Sequence, residues 1–249
     1  MNKIKITIVF ALISIFIGAQ EVSTGGTKII RHKAPEEKIV GVSYLDEKEM
    51  EAIESHIEKY IGPIDNVFHE IISEIVHIDI CIVKPTKDHN FYTLCTMGMS
   101  SLPMNAPKKE YQFSELFICL PPDWKMSDED IKKEENYWPV RLLKTLARFP
   151  HEYNDWLFYG HSMPNGDPAV AYASNTKFSN VIILEPFIIN DEIIGTQVNG
   201  KVIYFFPIYP LYNAEMKYKL DNDSDKLIKL FKKNKITEVV NINRKPVIR

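Results

Sequence analysis

Val76-His77-Ile78-Asp79-Ile80-Cys81-Ile82 alternates on a period of two, with Val76, Ile78, Ile80 and Ile82 on one face and His77, Asp79 and Cys81 on the other. That period marks a β-strand with one strongly apolar face. A polar stretch at 84–90 follows, and Phe91-Tyr92-Thr93-Leu94-Cys95-Thr96-Met97 supplies a second β-rich run, which predicts an antiparallel hairpin. A third run, 115–120, stops at Pro121-Pro122. Runs at 181–184, 193–198 and 201–206 also read as strands, the last two joined by Asn199-Gly200. Both residues tolerate positive φ, which suits a two-residue hairpin turn.

Helical spacing surrounds these strands. Upstream, Asp46 with Glu49 three residues later has the form of a capping box, and Met50, Ile53, Ile57, Tyr60 and Ile61 recur at helical intervals until Gly62-Pro63. Between the third and fourth strands, Val140, Leu142, Leu143, Leu146 and Phe149 define the buried side of a helix, with Pro139 suited to its first turn and Pro150 at its end. Patterns at 214–220 and 224–231 predict two further helices, and 236–240 a last strand. Hairpins interleaved with helices predict an α+β fold: a single domain whose mixed, mainly antiparallel sheet is flanked by helices.

A chain of 249 residues that is 45% hydrophobic can bury one large core. Its 30 Lys and Arg against 33 Asp and Glu leave a net charge of -3, without the field a nucleic-acid binder uses, so no nucleic-acid partner is expected. The locally basic segment 226–249, with Phe231 its one aromatic residue, reads as a solvated helix face and tail. Cys81, Cys95 and Cys119 lie in apolar runs outside any CxxC or Cys/His cluster and read as buried small hydrophobes. Cys81 and Cys95 would face each other across the hairpin, which leaves a disulfide open in an oxidising compartment.

Lys3 and Lys5 precede an apolar stretch, 6–17, that gives way to Gly18-Ala19-Gln20. A basic region, an apolar core too short to span a bilayer and a small residue at the cut define a signal peptide over 1–19. Residues 20–44, with Gly25-Gly26 and no periodicity, read as a linker or irregular arm, and 45–249 as the domain. Export to the periplasm or cell envelope follows, with no membrane span left after cleavage; a cytoplasmic protein is the alternative.

Reactive side chains are densest at 151–167, where His151, Glu152, Asp155, His161 and Asp167 lie among aromatic residues. An exported hydrolase or metalloenzyme using His151, Glu152, His161 and Asp167 is the reading to weigh. Its spacing is wrong for a helical zinc motif, because Asp155 stands where HExxH needs its second His. Gly98-Met99-Ser100-Ser101 resembles a nucleophile elbow but lacks the second Gly and runs into Pro103. His77 and Asp79 share a strand face and can pair, and no glycine-rich phosphate loop exists. The expectation is a protein with no catalytic residue, no metal and no cofactor. What remains is the loop 160–168, punctuated by Gly and Pro and preceded by Tyr153, Trp156, Phe158 and Tyr159. Rigid aromatics beside adaptable polar groups suit a protein-binding patch, with Tyr159, His161, Asn165 and Asp167 as anchors and His151 and Trp156 beside them. The competing reading is a turn at Asn165-Gly166-Asp167 capped by His161.

Six blocks occur in a fixed order: Thr96-Met97-Gly98-Met99-Ser100 with Leu102-Pro103-Met104; Leu120-Pro121-Pro122-Asp123-Trp124; Trp138-Pro139-Val140-Arg141-Leu142-Leu143-Lys144; Leu146-Ala147-Arg148-Phe149-Pro150-His151; Gly160-His161 with Pro164-Asn165-Gly166-Asp167-Pro168; and Pro210-Leu211-Tyr212 with Glu215-Met216. Together they resemble the bacterial suppressor-of-fused domain family. The resemblance implies a mixed sheet with flanking helices and a role in binding protein. In animals the relative of this domain sequesters a transcription factor, with a peptide held at the junction of two domains. The likeness extends to the first of those domains, so the two-domain clamp is not carried over. For bacterial relatives it implies immunity proteins that neutralise toxins. The expected function is therefore a protein-binding module, immunity-like, whose client is a toxin domain or another protein.

Overall fold

The computed structural model describes residues 21–33 and 41–248. Asp46 caps α1 (Glu47–Tyr60): its carboxylate accepts the Glu49 amide at 2.9 Å, and Glu49 accepts the Asp46 amide at 3.2 Å. The chain then runs through β1 (Ile64–Phe68), β2 (Asp79–Val83), β3 (Tyr92–Met97) and β4 (Phe113–Leu120), each antiparallel to the one before. Next come α2 (Glu134–Glu152), β5 (Ser162–Pro164), β6 (Asn180–Ile183), β7 (Gly195–Val198), β8 (Lys201–Leu211), α3 (Asn213–Asp221) and α4 (Ser224–Lys233). The sheet order is β1-β2-β3-β4-β8-β6-β5, with β7 also paired to β8. Only the β4–β8 pairing is parallel among the described strands, so the sheet is mixed and mainly antiparallel, as the sequence predicts.

β8 joins two halves of that sheet. Its first half pairs with β7 and β4, and its second with β6. Pro207 is the last residue in register with β4 and Ile208 the first in register with β6. A proline cannot donate to a ladder, and here it sits where the ladder changes partners. The β7–β8 turn is as expected: Asn199 and Gly200 have φ of 51° and 75°, which fits a type I′ hairpin.

Both faces of the sheet are covered. Ile80, Leu94, Ile118 and Ile208 pack with Trp138, Leu142 and Leu146 of α2. Cys81, Cys95, Phe117 and Phe205 pack with Ile53 and Ile57 of α1. Ile182, Tyr209 and Leu211 pack with Met216, Leu227 and Phe231 of α3 and α4.

Several local expectations change. The strand foreseen at 76–82 is 79–83 and buried on both sides, because α1 covers the Cys81 face. The stretch 236–240 forms only a single bridge, Cys119 to Val239. Pro139 lies well inside α2, and Pro150 does not end it. The helical acceptor that Pro139 leaves without a donor, the Glu135 carbonyl, takes the Asn175 side-chain amide at 2.8 Å instead. All three cysteines are buried and free, although Cys81 stands opposite Cys95 in the β2–β3 register. Burial pushes the Cys81 thiol up to about 12, which makes it unreactive. The proposed signal peptide, 1–19, lies outside the described residues. Among the described residues no helix is long and apolar enough to cross a membrane.

Candidate partner-binding surface

The loop 160–168 is built more tightly than its composition suggests. Gly160 donates its amide to the Ile183 carbonyl at 2.8 Å, and Ile183 donates to His161 at 2.9 Å, which starts the β5–β6 pairing. The His161 ring donates from Nδ1 to the Trp156 carbonyl at 3.3 Å and stands edge-on to the Trp156 ring at 4.6 Å. Burial depresses its pKa and keeps the imidazole neutral. Trp156 in turn stacks among Tyr111 and Phe158. Asn165 closes the loop by donating to the Val170 carbonyl at 2.8 Å. His151 lies apart, buried, with Nε2 donating to the Met99 carbonyl at 3.0 Å. Of the six candidate anchors, His151, Trp156, His161 and Asn165 are therefore engaged by neighbouring residues, and Asp167 pairs with Arg31. Tyr159 is 37% exposed and the Asp167 side chain 77%.

The N-terminal segment 21–33 lies against this loop. Arg31 reaches Asp167 at 2.6 Å, and His32 reaches Asp155 at 3.1 Å while its ring packs edge-on to Phe149. Of the four residues of the hydrolase alternative, three are tied to different partners: His151 bonds Met99, His161 bonds Trp156, and Asp167 bonds Arg31. Among the described residues no group of three or more His, Cys, Asp or Glu is placed to hold a metal.

Buried carboxylates explain several of the six sequence blocks. Glu115 is fully buried and accepts Thr96 Oγ1 and Ser100 Oγ, each at 2.6 Å, and the amides of Gly98 and Ser100, each at 3.0 Å. Ser100 is thus an interior hydrogen-bond donor, which removes the nucleophile-elbow reading. Gly98 has φ of 136°, and a Cβ there would stand 1.9 Å from the His77 carbonyl oxygen, so the block demands glycine. Glu215 accepts both Arg244 nitrogens, at 2.6 and 2.7 Å, and the amides of Tyr212 and Val247. Glu238 accepts the amides of Phe187, Ile188 and Ile189. These two carboxylates staple the C-terminal segment to the body. Arg244, read from sequence as part of a solvated tail, has a side chain only 7% exposed.

A further polar network went unforeseen. Glu70 accepts Arg148 and Lys144 on one oxygen, and Ser73 Oγ at 2.7 Å and the Ile78 amide at 3.2 Å on the other. Asp79 accepts the Glu70 amide at 2.8 Å, His69 at 3.0 Å and His77 at 3.1 Å. The His77–Asp79 pair is legible as two residues on one strand face. Glu70 is not, since two of its partners, Arg148 and Lys144, come from α2, far along the chain. The one available signal was Ile71-Ile72, two adjacent apolar residues ahead of the alternating run.

No curated protein matches the chain. Among solved structures, a suppressor-of-fused homologue from Neisseria gonorrhoeae aligns with a TM-score of 0.55 at 14% identity, over 81% of this chain and 97% of that one. A chain from a Sufu–Fu complex aligns with a TM-score of 0.59 at 13% identity, over 80% and 92%. Drosophila Suppressor of Fused aligns with a TM-score of 0.59 at 12% identity over 87% of this chain, which spans about half of it, 52%. At such identities these likenesses establish the fold. The family model described as Suppressor of fused protein matches residues 74–245, well over half the chain, and with the fold in agreement the chain belongs to the suppressor-of-fused protein family.

Proposed function

We propose that this chain is a protein-binding module, immunity-like in action, that holds and neutralises a client protein such as a toxin domain. The observation that carries the reading is the alignment, over most of both chains, with a relative whose structure was solved as a Sufu–Fu complex, a scaffold already engaged with protein. The reactive side chains at 151–167 support it from the other side, since His151, Asp155, His161 and Asp167 each bond a different partner. Tyr159 and Asp167, exposed beside a braced loop, are candidate contact residues. Affinity capture of the chain from its own cells identifies the client, and co-expression of client and chain tests neutralisation. A client whose toxicity persists undiminished in the presence of a bound chain refutes the immunity-like part. The same proposal includes export with removal of residues 1–19, which N-terminal sequencing of the native protein decides; a soluble protein beginning at Met1 refutes it.

A further inference from the structure

Ile71 and Ile72 are 96% and 82% exposed, adjacent in sequence, at the tip of the loop between β1 and β2. Exposed isoleucines on a mobile loop would be unremarkable. This loop is fixed: Glu70 ties it to Arg148, Ser73 and the Ile78 amide, and Asp79 holds the Glu70 amide and His69. Two apolar side chains are thus presented to solvent on a backbone whose ordering cost has already been met in folding. Beside them runs a groove of about 510 Å³ between the loop and α2. Its helical wall is a stripe at helical intervals: Tyr137, Arg141, Lys144 and Arg148. Among the lining residues three cations face a single carboxylate, Glu70, and Arg141 also pairs with Glu134, which leaves one cation in excess although the whole chain is acidic at -3.

We infer that this groove is a docking site for an extended acidic segment of a partner protein. An apolar side chain of that segment packs against Ile71, Ile72 and Tyr137, and its Asp or Glu carboxylates pair with Arg141 and Lys144 in exchange for Glu134 and Glu70. Charge complementarity selects an acidic occupant, and the side-by-side apolar pair and cations suit a peptide segment that alternates the two kinds of side chain. The inference rests on the protein-binding reading and names the chemistry of the partner.

The test pans a random dodecapeptide display library against the purified full chain and measures selected peptides by fluorescence anisotropy. Selected peptides are expected to carry Asp or Glu around one or two apolar residues and to weaken as salt rises. Ile71→Ser with Ile72→Ser, whose side chains are too exposed to leave a cavity, is expected to lower affinity about tenfold, and Lys144→Glu at least as much. Ile188→Ser, at an exposed isoleucine outside the groove, is expected to leave it unchanged. Binders indifferent to the Ile71 and Ile72 changes, or no binders at all, overturn the groove. So does Ile71- and Ile72-dependent binding confined to phosphatidylserine vesicles, or self-association in sedimentation that the same change abolishes. Any of these leaves the protein-binding reading standing on the captured client, because capture does not depend on which surface is used.

Discussion

Arg244 changes meaning between sequence and fold. In the sequence it is one of several basic residues near the C-terminus; in the structure it bonds Glu215 through both terminal nitrogens and lies over the rings of Phe178 and Tyr212. Replacing it with Ala leaves a fully buried carboxylate without its counter-charge, which costs about 3–5 kcal/mol. Urea unfolding at neutral pH checks this; a loss under about 1 kcal/mol would mean that Glu215 is adequately satisfied by backbone amides. Histidines give a second residue-scale prediction. Burial holds His56, His151 and His161 below their usual value of 6.5. The unfolded chain then binds more protons than the folded one just below 6.5, so their contribution is complete above that pH and shrinks as pH falls through it. Glu115, raised by burial, acts with the opposite sign, so the clean measurement is a difference. The parent is expected to lose thermal stability between pH 7 and 5.5 more steeply than His151→Gln, and equal slopes would contradict it.

At the scale of elements, α2 tolerates an internal proline because Asn175 supplies the donor that the helix lacks. Asn175→Ala should therefore cost about 1 kcal/mol, lowering Tm by roughly 2–4 °C, while the same change in a Pro139→Ala background should cost less, since the helix regains its own donor. Differential scanning calorimetry of the four proteins closes that cycle; equal costs in both backgrounds would refute the compensation. Elements with a strong local signal were legible in sequence: the α1 capping box, the Asn199-Gly200 hairpin and the amphipathic side of α2. Those that depend on remote partners were not. β1 and β5 are short strands at the sheet's edges with little alternation of their own. Pro207 argued locally against the long β8, which survives because its ladder changes hands there. At the candidate site, residue identity was visible in 160–168 but engagement was not: His161 and Asn165 bond their own loop, and Glu70 organises a surface whose cations lie on a helix many residues away.

For the whole molecule, one sheet is covered on both faces by helices, its C-terminal segment is fixed by two buried carboxylates, and His151 and His161 are bonded within the fold. What such a body offers to its surroundings is shape, exposed apolar side chains and charge, which are the means of binding protein. The most direct test of that claim is titration calorimetry between the purified chain and the protein it retains from its own cells. The account predicts a saturable complex of defined stoichiometry with Kd below about 1 μM, undiminished by His151→Gln or by chelator. Retention of nothing beyond what an unrelated domain of similar size retains, together with hydrolytic turnover that His151→Gln abolishes, would contradict it.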